Sequence, residues 1–172
     1  MTVKPIEKYI LSPTLSEPSE PVEEINEEIH ELVQTMIQSM YAASGVGLAA
    51  PQIGVNKRIF VIDTSVGEDP EAVIVLINPE IVSAEGTIEE EEGCLSVPEI
   101  RHVVKRPARV TVKGLNLQGE TVEVTGEGLL ARALSHEMDH LDGKTFLERV
   151  GRITRDLARR KIKKLIKTGE WS

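Results

Sequence analysis

The chain has 172 residues, enough for one domain that buries roughly 70% of the surface its unfolded form exposes, which excludes a disulfide-dependent mini-protein. The aromatics, two Phe, two Tyr and one Trp, are too few for a binder that stacks bases on rings, and no apolar run approaches the roughly 18 residues of a membrane span. The net charge of -8 hides an acidic body, with 11 Lys+Arg against 26 Asp+Glu in residues 1–148, and a basic tail, with 9 against 2 in residues 149–172. No DNA or membrane partner is expected.

Residues 1–20 are polar and rich in Pro and Ser, and read as an extended lead-in. They carry no apolar segment of a secretory signal, so the expected compartment is the cytoplasm. Over 22–41, apolar residues recur at three- and four-residue steps (Val22, Ile25, Ile29, Leu32, Val33, Met36, Ile37, Met40) and predict a helix with one buried face. His30 falls on its polar side. Residues 45–54, GVGLAAPQIG, hold three glycines and a proline and cannot continue that helix. β-rich runs follow at 58–64, 72–78, 100–105, 109–117 and 121–125, separated by Gly-rich or polar turns. The acidic run Glu89–Glu92 reads as a solvated loop. Helical spacing returns at 126–141, with Gly143 as a stop, and again at 153–168, where Ile153, Leu157, Ala158, Ile162, Leu165 and Ile166 are expected to face the body. A helix, a block of strands and then helices predict an α+β fold in a single domain, residues 1–172, with 149–172 as a basic tail.

The chemistry concentrates at 136–140, HEMDH, inside the second helical segment. His136 and His140, four residues apart, project from one helix face and can bind one metal ion together. Glu137 points about 100° away but still reaches a water on that ion. Leu134, Met138 and Leu141 place the same helix partly in the core, which disfavours incidental surface histidines. A catalytic site needs a third protein ligand. No third His follows the motif, and Glu148, Asp156 and Cys94 remain as candidates. Cys94 lies in EEGCLSVP, between Gly93 and Pro98, which reads as a shaped loop, and its thiolate suits a soft or borderline metal. GVGLAAPQIG lacks the Gly-Lys-Ser/Thr ending of a phosphate loop. Gln52 is its one strongly hydrogen-bonding side chain, either exposed on a turn or placed to stabilise an oxyanion.

Gly45 to Gln52 (GVGLAAPQ), Glu92 to Ser96 (EGCLS) and His136 to His140 (HEMDH) together closely resemble the peptide deformylases, in order and spacing, over about residues 20–150. The single cysteine falls inside the middle motif. The overall pattern looks like the bacterial type with an extended C-terminal helix. The N-terminal Ser12-Pro13-Thr14-Leu15 and Ser135 depart from residues frequent in that family. The resemblance implies antiparallel strands around a central HExxH helix. It implies removal of the formyl group from the N-terminal formyl-methionine of nascent peptides, with release of formate. It implies Fe(2+) as the metal, replaceable by Zn(2+), Ni(2+) or Co(2+), held by Cys94, His136 and His140 with a water.

By the same resemblance, Glu137 is the general base and then the acid, while the Gln52 side chain and the Leu95 N–H stabilise the oxyanion. Gly45, Val46 and Gly47 pair with the substrate backbone like an added strand. Val46, Leu129 and Ala133, near the motifs, are expected to line the methionine pocket, and Arg132, one turn before His136, to close it or touch the peptide. Glu92 is expected to pair with Arg106 or Arg101 and brace the Cys94 loop. His102 reads as a strand residue. The basic C-terminal helix is expected to dock on the ribosome near the tunnel exit. Trp171 either joins that contact or folds back on the body.

Two other readings stay open at this level. A metalloendopeptidase also uses HExxH with a Glu base, and would need a non-Cys third ligand. A noncatalytic metal module would close its site with a fourth ligand, for which His102 or Glu92 could serve.

Overall fold

The computed structural model describes residues 2–171. The lead-in is irregular apart from one 3-10 turn at Pro13–Ser16, yet it is tied to the body. Glu7 N–H donates to the Gln52 carbonyl (2.7 Å) and Tyr9 N–H to the Ser96 carbonyl (2.9 Å), so it runs behind two of the motif segments.

Helix α1 spans Glu27–Ala42, starting later than the apolar spacing predicts. Asn26 sets the start: its side chain accepts the Ile29 N–H at 3.1 Å and satisfies an otherwise orphaned donor. Val22 is buried, but in extended chain. Asn78 holds it there, accepting Val22 N–H (2.8 Å) and donating to Val22 C=O (2.9 Å). The apolar residues before Asn26 therefore cross the core as strand-like chain and mimic helical spacing.

A five-stranded antiparallel sheet follows, built from β1 (Gly47–Ala49), β2 (Ile59–Ile62), β3 (Ile74–Glu85), β6 (Arg109–Leu115) and β7 (Thr121–Glu127), in the order β1-β2-β3-β6-β7. A separate hairpin pairs β4 (Ile88–Cys94) with β5 (Val97–Arg106). β1 is hidden in the sequence because the glycines at 45, 47 and 54 around it read as a turn. β3 runs on past 78 because a register irregularity between Ile77 and Glu80 accommodates Pro79, which has no N–H to pair. The acidic run 89–92 is not a loop but the body of β4: Glu89 and Glu91 pair with Lys105 and Arg101 on the solvent side, while Glu92 turns inward and is 5% exposed.

Helix α2 spans Leu129–Leu141, and residues 126–127 complete β7 instead of starting it. The two helices cover opposite faces of the sheet. β2 alternates between them: Ile59 and Val61 join Val33, Met36 and Met40 of α1, whereas Phe60 and Ile62 join Leu134, Met138 and Leu141 of α2. A third cluster lies under the hairpin, where Val97, Ile100 and Val104 meet Phe146, Ala158 and Ile162.

Helix α3 spans Arg152–Lys167. Ala158 and Ile162 are buried as expected, but Ile153 and Leu157 are exposed at 77% and 59%. At 100° per residue Ile153 and Leu157 lie on a different stripe of α3 from Ala158 and Ile162, and only the latter stripe faces the third cluster. Trp171 folds back: it is buried, and its Nε1–H donates to the Tyr9 carbonyl at 3.0 Å. Among the described residues no helix is long and apolar enough to cross a membrane.

Trp171→Ala should destabilise the fold by about 3 kcal/mol, because it removes both a buried ring and that hydrogen bond. Urea unfolding followed by circular dichroism measures this. A change under about 0.5 kcal/mol would show the docked tail to be energetically idle.

Candidate metal centre

The site forms where α2, the tip of the β4–β5 hairpin and the segment through β1 converge. Leu134, Met138 and Leu141 fasten α2 to the sheet, and that anchoring turns His136 and His140 toward the hairpin. Their rings meet edge to face, with centroids 4.9 Å apart. On the hairpin, the register slips between Glu92 and Cys94. A bulge of this kind re-aims side chains. Both Glu92 and Cys94 consequently point at α2.

Cys94 Sγ lies 3.3 Å from His140 Nε2, and the two Nε2 atoms are 3.2 Å apart. One ligand atom from each of the three residues falls within 4.8 Å of the others. Tetrahedral zinc bonds would separate N from N by about 3.4 Å and N from S by about 3.6 Å, so the observed spacings fit one cation. The charge state fits as well. Burial opposes the charge of Glu92, but hydrogen bonds from His136 and Arg106 outweigh it and hold the carboxyl well below its ordinary range. An ionised Glu92 takes the Nδ1–H of His136 at 2.6 Å, which leaves the Nε2 lone pair facing His140 and Cys94. His140 is fully buried, and burial drives it well below the ordinary histidine range. Imidazole nitrogen beside a cysteine sulfur is a donor set that a divalent metal takes.

Glu92 is the hub of a buried ionic cluster. Arg106 reaches it with Nε (3.1 Å) and Nη2 (2.6 Å), and Arg132 with Nη1 (2.8 Å). Arg106 also spans to Asp139 (2.7 Å), which Arg149 grips with two bonds of 2.6 and 3.0 Å. The partner expected for Glu92 is thus Arg106 and not Arg101, which pairs with Glu91. Asp139 and Arg149 belong to this cluster and were not anticipated. The spacing of Asp139 between the two histidines was the available signal, since a carboxylate there must share their buried face or find a cation. The other candidate third ligands lie elsewhere: Glu148 pairs with Arg155 and Arg159, and Asp156 with Arg152.

A cavity of about 370 Å³ opens over the three convergent residues. Gly45, Val46, Gly47, Leu129, Arg132 and Ala133 line it, together with Gln52, Cys94, Leu95, His136 and Glu137. Leu129 sits at the rim, 54% exposed. The glycines are a matter of clearance. A Cβ on Gly47 would stand 2.7 Å from Glu137 Oε2, and one on Gly45 would stand 2.7 Å from the Leu95 side chain. Glu137 is 3% exposed and its Oε1 has no protein partner; burial pushes its carboxyl up to about 7. Gln52 is buried, not exposed on a turn. Its Oε1 accepts Ala49 N–H at 3.0 Å, which fixes the amide orientation, and its Nε2 donates to Ser96 Oγ (3.3 Å) and faces Cys94 Sγ (3.7 Å).

The polypeptide deformylase family model matches residues 3–156. The chain belongs to this family. The peptide deformylase of Acidobacterium capsulatum is 54% identical over 171 residues, 99% of this chain and 100% of that protein. The crystal structure of a peptide deformylase from Legionella pneumophila superposes with a TM-score of 0.90 at 44% identity, covering 99% of each chain. That of the Ehrlichia chaffeensis peptide deformylase in complex with actinonin has a TM-score of 0.86 at 38% identity, covering 95% of this chain and 98% of that one. The family is one of metalloenzymes, which accords with the Cys94, His136 and His140 cluster. The deformylase scaffold here thus carries a buried carboxylate directly behind the His136 imidazole.

Glu92→Gln should weaken divalent-metal affinity about 10- to 100-fold, because it weakens the hydrogen bond that orients His136. Competition titration against a chromogenic chelator measures it. Unchanged affinity would show that Glu92 only braces the hairpin.

Proposed function

We propose that this chain is a peptide deformylase that hydrolyses the formamide of N-formyl-methionyl nascent peptides, with Cys94, His136 and His140 as metal ligands and Glu137 as the proton carrier. The observation that supports this most strongly is Glu137 itself. It is a buried carboxylate with one oxygen unpartnered, beside three convergent metal-binding atoms and open to the cavity. The mixed thiolate and imidazole donor set suits Fe(II), with Zn(II), Ni(II) or Co(II) as substitutes. Such an ion, when bound, supplies Lewis acidity that makes water a better nucleophile near neutral pH and polarises the formyl carbonyl.

The residues of the chain do the rest. Glu137 accepts a proton as the water oxygen bonds to the formyl carbon, and returns it to the methionine nitrogen as the C–N bond breaks. Formate leaves, and a free amine remains on the peptide. The Gln52 amide, locked by Ala49, and the Leu95 N–H donate to the carbonyl oxygen as it gains charge. Because the donors are fixed before the substrate arrives, no reorganisation is needed at the transition state. Val46, Leu129 and Ala133 offer apolar wall to the methionine side chain, and the Arg132 stem closes that wall. The backbone of Gly45 to Gly47 pairs with the peptide.

We read residues 1–172 as one functional unit acting in the cytoplasm, with 149–172 as a tail that docks on the ribosome near the tunnel exit. Arg160, Lys163, Lys164 and Lys167 all stand exposed on α3, which supports an electrostatic contact with a polyanionic surface. Reversing these four charges should weaken ribosome co-sedimentation steeply at low salt and leave hydrolysis of a formylated tripeptide unchanged. Equal co-sedimentation of both proteins across a salt series would refute the docking.

Anaerobically purified protein loaded with Fe(II), Ni(II) or Zn(II) should release formate from formyl-Met-Ala-Ser. Glu137→Ala should lower the rate at least about 1,000-fold while retaining its metal, as expected for loss of a general acid–base residue and the positioning it provides. Metal-loaded wild type that releases no formate, or cleaves internal amides instead, would overturn the assignment.

A further inference from the structure

The mechanism above makes no use of Asp63, a fully buried carboxylate at the end of β2. It is completely satisfied. Oδ1 accepts Ser65 N–H (2.8 Å) and Ser65 Oγ–H (2.6 Å), and Oδ2 accepts Gly67 N–H (2.9 Å) and the Tyr41 hydroxyl (2.5 Å). The protonation states agree with a built contact. Burial alone would raise the Asp63 carboxyl, yet these donors hold it down to about 2, and the bond to Asp63 pushes the Tyr41 hydroxyl up to about 12.

The connection this makes is to the cavity. Tyr41 is in the last turn of α1, and the chain between it and β1 is Ala42 to Val46. That stretch is fixed at its start by Ser44 N–H to Tyr41 C=O (3.0 Å) and Gly45 N–H to Met40 C=O (2.9 Å). It is fixed at its end by Asp63 N–H to Val46 C=O (2.8 Å). Asp63 thus holds the end of the loop by its backbone and the start by its carboxylate. Within the loop Ser44 has φ +57°, a conformation costly for a residue with a side chain and kept only when its surroundings over-determine it.

β1 is an edge strand. Backbone groups of successive strand residues point to alternate sides. With Val46 C=O turned to β2, the N–H and C=O of Gly47 face out of the sheet edge, on the side where Gly47 lines the cavity. We propose that Asp63 and Tyr41 are positioning residues, whose mutual hydrogen bond clamps Gly45–Gly47 in the register on which the backbone of a peptide substrate pairs. The proposal rests on the deformylase reading for its substrate, but the clamp itself does not.

The experiment compares formyl-Met-Ala-Ser, which has backbone to pair along the edge, with formyl-methionine amide, which has almost none. Tyr41→Phe should raise KM for the tripeptide about five- to tenfold, the loss of one charge-assisted hydrogen bond, and keep kcat within about twofold. The amide should change less than about twofold in either constant. Ser65→Ala removes a bond of similar strength from the same carboxylate without touching α1, and should leave the tripeptide's advantage intact. Hydrogen exchange on the metal-loaded proteins reads the clamp without activity: Tyr41→Phe should speed exchange at Gly45 and Asp63 and leave β3 and β6 unchanged. Equal losses on the two substrates, a loss carried by kcat, or Ser65→Ala matching Tyr41→Phe would overturn the positioning role. Unaltered exchange at Gly45 and Asp63 would overturn the clamp. Absence of formate release by wild type would instead refute the functional assignment, and exchange would still decide the clamp.

Discussion

The carboxylate of Glu92 holds this structure in its working form. It lies between a hairpin and a helix that share no sheet hydrogen bonds, and it joins them through Arg106, Arg132 and the His136 ring. Such a cluster is costly to assemble, because every charge leaves water, and costly to break, because any survivor is left unpaired. Its value is therefore geometric. It fixes the hairpin tip, and so Cys94, relative to α2, and it fixes which nitrogen of His136 is free. Asp139 and Arg149 extend the same cluster to the base of the tail.

Around that hub, the cavity is shaped as much by what is missing as by what is present. Gly45 and Gly47 leave the space that Leu95 and Glu137 occupy, so the edge strand lies directly against those two side chains. A buried Glu137 with a free oxygen and a Gln52 locked by its own backbone neighbour make the site stiff before any ligand enters. Stiffness suits a reaction whose charge develops at one oxygen and one nitrogen.

Several parts of this were legible in the residues alone. HEMDH in an amphipathic segment implies two imidazoles on one helix face, because helical spacing is local. The apolar faces of α1 and α2, the strand block and the α+β class follow from periodicity in the same way. Other parts were misread where local pattern and tertiary context disagree. Val22 kept helical spacing but is extended, since Asn78 offers its backbone better partners. The run Glu89–Glu92 reads as solvated, yet alternation on a strand puts Glu90 and Glu92 on the face toward Arg132, and the fold covers Glu92 alone. Ile153 and Leu157 keep helical spacing with each other, but the stripe that packs on the body is the one through Ala158 and Ile162.

The sequence by itself determined which residue types are on offer for the chemistry, because two histidines and a glutamate at helical spacing are a local pattern. It also determined the family, through three motifs in order. Only the tertiary structure decided how those groups relate: that Arg106 and not Arg101 meets Glu92, that Gln52 is buried, that Asp63 grips the loop before β1, and that Trp171 turns inward. The physical reason is the reach of the interactions. Periodicity and capping act over a few residues along the chain, whereas ion pairs, clearances and sheet edges join residues dozens of positions apart, where no local pattern records them.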